Sequence, residues 1–139
     1  MKTTDELIHE IQSSSDIVGY FEHNQQELHL NSFQECLNNW LRQKQLTRAQ
    51  VIQRSNLNKA YVYQIFSGRK YPSRDKVIAL AFGLGLTPSE TQTLLKQAGY
   101  RELYPRDPRD ALLLFAFSQG MTLINANELL YDHEVEVLE

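Results

Sequence analysis

The sequence predicts an all-α protein, and three observations support this fold class. Strand patterns, in which apolar and polar residues alternate, are almost absent. Residues that cap helices recur along the chain, together with glycines and prolines at positions suited to end or start helices. Between these signals, apolar residues repeat every three or four positions, as one face of a helix requires. We therefore expect short helices joined by tight turns.

The first well-marked helix starts after Ser32, a candidate N-cap, and is expected to end near Gln45. Its apolar stripe consists of Phe33, Cys36, Leu37, Trp40 and Leu41. Thr47 is expected to cap a second, short helix, with Gln50 completing a capping box. The inner side of this second helix comprises Val51, Ile52 and Ser55.

A sharp turn should follow at Asn56, because asparagine tolerates the left-handed backbone conformation, and Leu57 is expected to fill the corner beneath it. Asn58 is a cap for a third helix at residues 59–67, which Gly68 ends. The core positions of this helix are Val62, Ile65 and Phe66. The positions left for solvent or a partner are Lys59, Ala60, Tyr63 and Gln64.

Two further helices are predicted at residues 73–84 and 87–98, with Ser73 and Thr87 as caps. After a proline-containing linker, an apolar helical hairpin is expected at residues 108–131, with its turn at Gly120. The first thirty residues predict a short helix at residues 5–12, a serine-rich break at 13–15 and a second helix from Asp16.

Charge is distributed unevenly along the chain, whose net charge is −3. Residues 42–76 contain nine bases and a single acid, Asp75. By contrast, residues 1–35 contain one base and seven acids, and residues 77–139 contain four bases and nine acids. A basic block between acidic flanks is typical of a segment that faces a polyanion, and a solvated charged surface is the alternative.

The segment LTRAQVIQRSNLNKAYVYQIFSGRKYPS at residues 46–73 resembles the phage-repressor and Cro type helix-turn-helix family, also called Xre-like. The resemblance implies a five-helix DNA-binding domain at residues 32–98. Residues 1–31 would then be an acidic helical extension, and residues 99–139 would form the hairpin. It further implies a sequence-specific transcriptional regulator, in particular a repressor, that binds double-stranded DNA.

The resemblance also implies roles for individual residues. Those that would read base edges in the major groove are Lys59, Ala60, Tyr63 and Gln64. Those that would hold phosphates are Arg48, Asn58, Arg69, Lys70 and Arg74.

The sequence departs from the family pattern at two places that affect these expectations. Ile52 stands where the family has a small residue, which predicts a slightly different angle between the crossing helices. Phe66 replaces a common acid and stands among Tyr61, Tyr63 and Tyr71. Aromatic side chains of this kind stack on bases or form protein interfaces, so a protein-interaction module is the alternative function.

Enzymatic, metal and redox functions have little support in the sequence. Glycine-rich phosphate loops, His-Glu metal pairs and nucleophile elbows do not occur, so we expect no enzyme and no cofactor. The single cysteine, Cys36, is interpreted as core packing. No apolar run approaches the ~18 residues of a membrane span, and residues 1–12 lack the basic start of a secretion signal. We expect a protein of the cytoplasm.

The hairpin is more apolar than one packed face needs, and this predicts a homodimer, with Leu114 and Phe117 at its interface. A twofold dimer would also match two half-sites on DNA. The alternative is that the hairpin covers the helices at residues 73–84 and 87–98 within a monomer.

Overall fold

The computed structural model describes residues 2–13, 16, 17, 19 and 32–139, and over these residues it confirms the all-α prediction. Residues 1–32 and 33–139 form two compact units, which are described separately. The helices are α1 (Thr4–Ser13), α2 (Phe33–Lys44), α3 (Arg48–Ser55), α4 (Lys59–Phe66), α5 (Arg74–Leu84), α6 (Pro88–Gln97), α7 (Pro108–Ser118) and α8 (Leu123–Asp132). Within the described ranges, every helix is too short or too polar to cross a membrane.

The first unit contains α1, which confirms the helix expected at residues 5–12. No side chain of α1 is buried, and Lys2 forms an ion pair with Glu10 at 2.8 Å. Ser13, expected to begin the break, is the last residue of the helix, and its hydroxyl donates to the carbonyl of His9. The rest of the break and most of the second predicted helix lie outside the described residues.

In the second unit, the predicted capping residues start their helices as expected. Thr47 accepts from the Gln50 amide and completes the capping box, and Thr87 does the same with Glu90. The other side chains that accept from the first turn of a helix are Asn58, Ser73, Asp107 and Thr122. Because these caps fix where each helix begins, they also fix which side chains share a face.

The turn between α3 and α4 lies where the sequence predicts it. Asn56 has φ 55° and ψ 28°, in the left-handed region, and Leu57 packs partly buried against the core beneath the turn. The turn joins two helices of eight residues each, the sequence order of a helix-turn-helix motif. It therefore determines the direction in which α4 leaves α3.

Gly83 permits the close approach of α3 to α5, the central helix, whose residues 77–84 are all buried. A Cβ at Gly83 would lie 2.9 Å from the Val51 carbonyl oxygen and 3.1 Å from Ser55 Cβ. Val51 and Ser55 are themselves fully buried. Ile52, for which the sequence predicts a slightly different crossing angle, is half-buried against the core, and that angle stays a prediction. The contact at Gly83 was not predictable, because a glycine inside an apolar helix carries no local sign of what packs on it.

The predicted hairpin forms, and α7 and α8 pack against α6 and α5. The Phe117 ring stacks on Phe82, with centroids 4.0 Å apart, and Phe117 is buried. The hairpin thus covers neighbouring helices within the chain, and Phe117 belongs to the core of the unit. Its large exposed side chains are Phe115, Ile124 and Tyr131.

Two ion pairs join the start of α5 to the start of α7, and we call this group the seam: Arg74, Asp75, Arg109 and Asp110. Arg74 donates to buried Asp110 at 3.0 Å, and Arg109 donates to Asp75 at 2.9 Å. The bond to Asp75 raises the pKa of Arg109, although burial works against this shift. Identical Arg-Asp dipeptides in two helices are therefore paired crosswise.

Candidate nucleic-acid interface

Helix α4 presents one face to the core and the opposite face to solvent. Val62, Ile65 and Phe66 are each 1% exposed or less. The remaining face contains the four predicted base-reading residues, of which Gln64 is half-buried and the others are exposed: Lys59, Ala60, Tyr63 and Gln64. Since these are positions i, i+1, i+4 and i+5 of one helix, they lie on a single surface.

Two predicted base-reading residues and two predicted phosphate-contacting residues share one open cleft of about 320 Å³. Its lining residues are Arg48, Tyr63, Gln64, Ser67 and Arg69. Ser67, which the sequence analysis did not single out, donates its hydroxyl to the Gln64 carbonyl at 3.1 Å. A small polar residue just before the glycine that ends a helix is the signal that could have indicated it. We call this group of residues the cleft.

The Arg48 guanidinium contacts one side chain of α2 and one of α4. Its guanidinium donates to Asn38 Oδ1 at 3.4 Å and lies 5.8 Å from the centroid of the Phe66 ring. Asn38 is itself oriented, because its amide donates to the carbonyls of Gln34 at 2.8 Å and Phe66 at 3.4 Å. Asn38 is thus a supporting residue that the sequence analysis missed, since it lies ten positions away from Arg48.

The loop after α4 is anchored by its backbone. The amides of Arg69 and Lys70 both donate to the Gln64 carbonyl, at 2.8 and 3.2 Å. Gly68, at φ 82°, allows this chain reversal, and a Cβ there would also collide with the Gln34 side chain. The two basic side chains therefore leave from a fixed backbone next to the exposed face of α4.

The tyrosines on α4 and in the loop after it differ in exposure and in the groups that they contact. Tyr63 is 41% exposed on the interface, and Tyr61 is half-buried with the Lys70 ammonium 5.9 Å from its ring centroid. The Tyr71 hydroxyl donates to the Ala98 carbonyl at the end of α6, and the Tyr71 ring contacts Phe33 at the start of α2. Burial raises the pKa of both Tyr61 and Tyr71, so these phenols stay protonated at neutral pH. Of the three, Tyr63 is the one that lines the cleft.

The bases of the middle segment differ in whether they are neutralised. Lys44 pairs with Glu90 at 2.8 Å. In the described parts of the chain, the bases of this segment that lie on α4 or beside it and form no ion pair are Arg48, Lys59, Arg69 and Lys70, and Arg42 and Arg54 form none either. Asn58 uses its side-chain oxygen to accept from the Tyr61 amide at 3.1 Å, which leaves its NH₂ group for another acceptor. The exposed face of α4 is thus accompanied by four bases that no carboxylate neutralises within the described residues.

Arg74 lies in the seam, and it is absent from the lining of the cleft. In addition to Asp110, its guanidinium donates to the carbonyls of Arg101 at 3.1 Å and Glu102 at 3.0 Å. All of its observed bonds therefore go to the segment that leads into α7. Of the five predicted phosphate-contacting residues, Arg48 and Arg69 line the cleft, and Arg74, Asn58 and Lys70 are not among its lining residues.

Cys36 packs partly buried against the core, as interpreted from the sequence. Burial, together with the nearby Glu35, raises the pKa of this thiol, so it is protonated at neutral pH. Among the residues that the structure describes, histidine, cysteine and acidic side chains form no cluster that could hold a metal ion.

Residues 39–94 match a family model described as a helix-turn-helix domain. The matched region runs from α2 into α6 and includes α3, its turn and α4 in full. This part of the chain is therefore similar to helix-turn-helix domains. Comparisons with curated proteins and with solved structures gave no match. In DNA-binding helix-turn-helix domains, the second helix of the motif enters the major groove. The helix at the second position of the motif in this chain is α4.

Proposed function

We propose that the chain is a sequence-specific DNA-binding transcriptional regulator, a repressor of the phage-repressor type, that reads the major groove with α4. One observation carries this proposal: the exposed face of the second motif helix shares a cleft with two arginines that have no carboxylate partner in the described part of the chain. A helix flanked by available positive charge fits a duplex, because phosphates on either side of the groove can be contacted while base edges are read.

The base-reading roles follow from the chemistry of each side chain. Lys59 donates to the N7 and O6 acceptors of guanine, and Gln64 forms a bidentate pair with the N6 and N7 atoms of adenine. Ala60 contacts a thymine methyl group, and Tyr63 offers an aromatic edge beside it. Gln64 is half-buried, whereas the other three side chains are exposed, so the Gln64 side chain has less room to move than its neighbours. We expect Gln64 to contribute the most to discrimination between bases.

The phosphate-contacting roles belong to four residues around α4. Arg48 stands at the start of α3, and Arg69 and Lys70 stand in the loop after α4. The NH₂ group of Asn58 is available at the start of α4. We assign Arg74 to the seam in this proposal, because a phosphate contact would require it to leave buried Asp110.

The test is selection of binding sites from random duplex DNA, followed by fluorescence-anisotropy titrations of the selected duplex. We expect Lys59→Ala and Gln64→Ala to change the preferred sequence, with losses of about 1–3 kcal/mol at the bases concerned. Arg48→Ala and Arg69→Ala should weaken binding to every duplex and each lower the salt slope by about one unit. Arg106→Ala, an exposed arginine of the linker, is the matched control and should change neither property.

The proposal fails if random sequences are recovered unenriched and the four variants bind DNA as the parent does at low salt. Enrichment without any change of preference in the α4 variants would retain DNA binding but remove α4 as the reading helix.

We further propose that the chain dimerises through the hairpin. Phe115, Ile124 and Tyr131 are 50%, 66% and 77% exposed, so the hairpin offers three large apolar side chains to a second copy of the chain. Phe115→Asp tests this without disturbing the core, whereas a charge at Phe117 would break the stack on Phe82. Sedimentation should show a dimer that Phe115→Asp dissociates while helicity is kept, and a monomeric parent would remove the proposal.

The same exposed side chains favour a second candidate function, a helix-turn-helix protein that recruits another protein. Under this alternative, charged substitutions at Phe115 and Tyr131 would abolish partner binding, and those at Arg48 and Arg69 would not. Retention on a mixed-sequence DNA column with salt elution separates the two functions, because only the DNA-binding protein is retained in proportion to its cleft charges.

A further inference from the structure

A second cavity of about 410 Å³ lies on the other side of the α3–α4 turn, between the helix-turn-helix motif and the hairpin. Three chain reversals border it: Asn56 after α3, Gly85 after α5 and Gly120 between α7 and α8, all with positive φ. Its size falls within the range of small-molecule sites in proteins. Neither DNA recognition nor packing of the hairpin accounts for it.

The lining combines an apolar floor with one charged group. Phe82, Met121 and Leu123 supply the apolar part, and Arg54 and Gln53 supply the polar rim. No carboxylate is among the lining residues. Over the described ranges Arg54 forms no ion pair, and no hydrogen bond of the Gln53 side chain is observed. An available guanidinium above an apolar pocket is complementary to a molecule with an apolar body and one anionic end.

The cavity is adjoined by a smaller one of about 160 Å³, which shares Phe82, Gly85, Gly120 and Met121 with it and extends to Phe117. Methionine is flexible and adapts to irregular spaces, so Met121 can yield to a ligand that reaches from one cavity into the other. The smaller cavity is not lined by Arg54 and adds only Leu86 and Phe117, both apolar, so a ligand that binds Arg54 and also reaches this cavity needs an apolar chain.

We propose that this cavity binds a medium-chain carboxylate, whose carboxyl group pairs with Arg54 and whose alkyl chain lies along Phe82 and Met121. The site stands on the fold alone and does not require that the chain bind DNA. Because Arg54 and Asn56 belong to the helix-turn-helix motif and Met121 and Leu123 to the hairpin, a bound ligand would contact both parts of the unit.

The test is an NMR titration of the full chain with sodium octanoate, kept below the concentration at which octanoate forms micelles. Saturable shifts are expected for the backbone amides of Gly85, Gly120 and Leu123, and for the Arg54 side chain. Acetate has the charge without the chain, and 1-octanol has the chain without the charge, so both should bind at least about tenfold more weakly. Arg54→Gln should weaken octanoate binding about tenfold, and Arg106→Gln should leave it unchanged.

Three results would overturn the proposal: no saturable shift with octanoate, equal binding of 1-octanol, or an unaltered affinity in Arg54→Gln. Arg54 is exposed on α3, and its replacement leaves the core intact, so loss of binding in this variant would not arise from unfolding. A folded spectrum for the variant completes the control.

Discussion

Two groups of arginines in this chain have the same chemistry and opposite situations. In the cleft, Arg48 and Arg69 line a surface without a carboxylate. In the seam, Arg74 and Arg109 are bound to Asp110 and Asp75 and also donate to backbone carbonyls. The basic block of the sequence therefore contains two kinds of charge. One kind holds helices together, and the other kind is available to a partner.

Breaking the seam should cost the most stability. Asp110→Ala removes the buried carboxylate that pairs with the Arg74 guanidinium, and the Arg74 charge is then left without a carboxylate. The substitution also removes the acceptor for the Tyr104 amide. We expect a loss of about 3–5 kcal/mol in the free energy of unfolding, measured by urea denaturation. Glu102→Ala, which removes the exposed pair with Lys96, is the control and should change stability by less than about 1 kcal/mol.

The cleft and the seam share no residue, so loss of the Asp110 carboxylate should leave the affinity for DNA unchanged. At a temperature where Asp110→Ala is still folded, its affinity for DNA should equal that of the parent. A weaker affinity in the folded variant would show that the two groups of arginines are not separate.

The next largest effect is expected at the contact between α3 and α5, the helices that begin with Arg48 of the cleft and Arg74 of the seam. In an open helix, replacing glycine with alanine stabilises by about 1 kcal/mol. For Gly83→Ala we expect the opposite sign, a loss of about 1–3 kcal/mol, because the added Cβ meets the Val51 carbonyl at 2.9 Å. The free energy of unfolding from denaturant titration decides the sign. A gain in stability would mean that α3 moves away from α5 without cost.

The turn of the motif should show a smaller effect. Asn56 has φ 55°, so Asn56→Ala places an ordinary Cβ in the left-handed region and should cost about 1 kcal/mol. Asn56→Gly should be close to neutral, since glycine adopts this conformation without strain. Thermal melting of both variants is the measurement, and equal losses would contradict the role assigned to the turn.

Much of the fold was predictable because the signals are local. A cap such as Thr47 and its partner Gln50 are three residues apart, and Asn56 identifies the turn by its own residue type. The exposed face of α4 follows from the same register, since the buried positions define the opposite side. All of these need only neighbouring residues and the period of a helix.

The features that the sequence did not reveal depend on contacts between distant residues. Gly83 acts through α3, and Arg74 is committed by an aspartate 36 positions away. Asn38 matters because it orients Arg48, and Phe117 is core because Phe82 stacks on it. Charge counted along the chain could not separate the seam from the cleft, because the carboxylates of the seam lie in the acidic segment that follows the basic block as well as inside it.

The smallest expected effect concerns Lys44, a base of the same block that is bonded to Glu90 with both N–O distances at 2.8 Å. Burial alone would raise the pKa of Glu90, but hydrogen bonds from Lys44 and from the Thr87 backbone outweigh it and lower the pKa. A carboxyl group with a lowered pKa stabilises the fold above its ordinary pKa, and this contribution is lost as the pH falls through the folded value.

Glu90→Gln keeps the capping box, because glutamine also serves there, and removes the charge. We expect Glu90→Gln to lose less than about 1 kcal/mol at neutral pH, since the pair is partly exposed, and to match the parent at an acidic pH below the folded pKa of Glu90, where that carboxyl group is protonated. Urea denaturation at the two pH values measures this difference, with Glu102→Gln as the exposed control. A deficit that stayed constant with pH would mean that Glu90 acts through its shape in the cap, and that its charge does not hold Lys44.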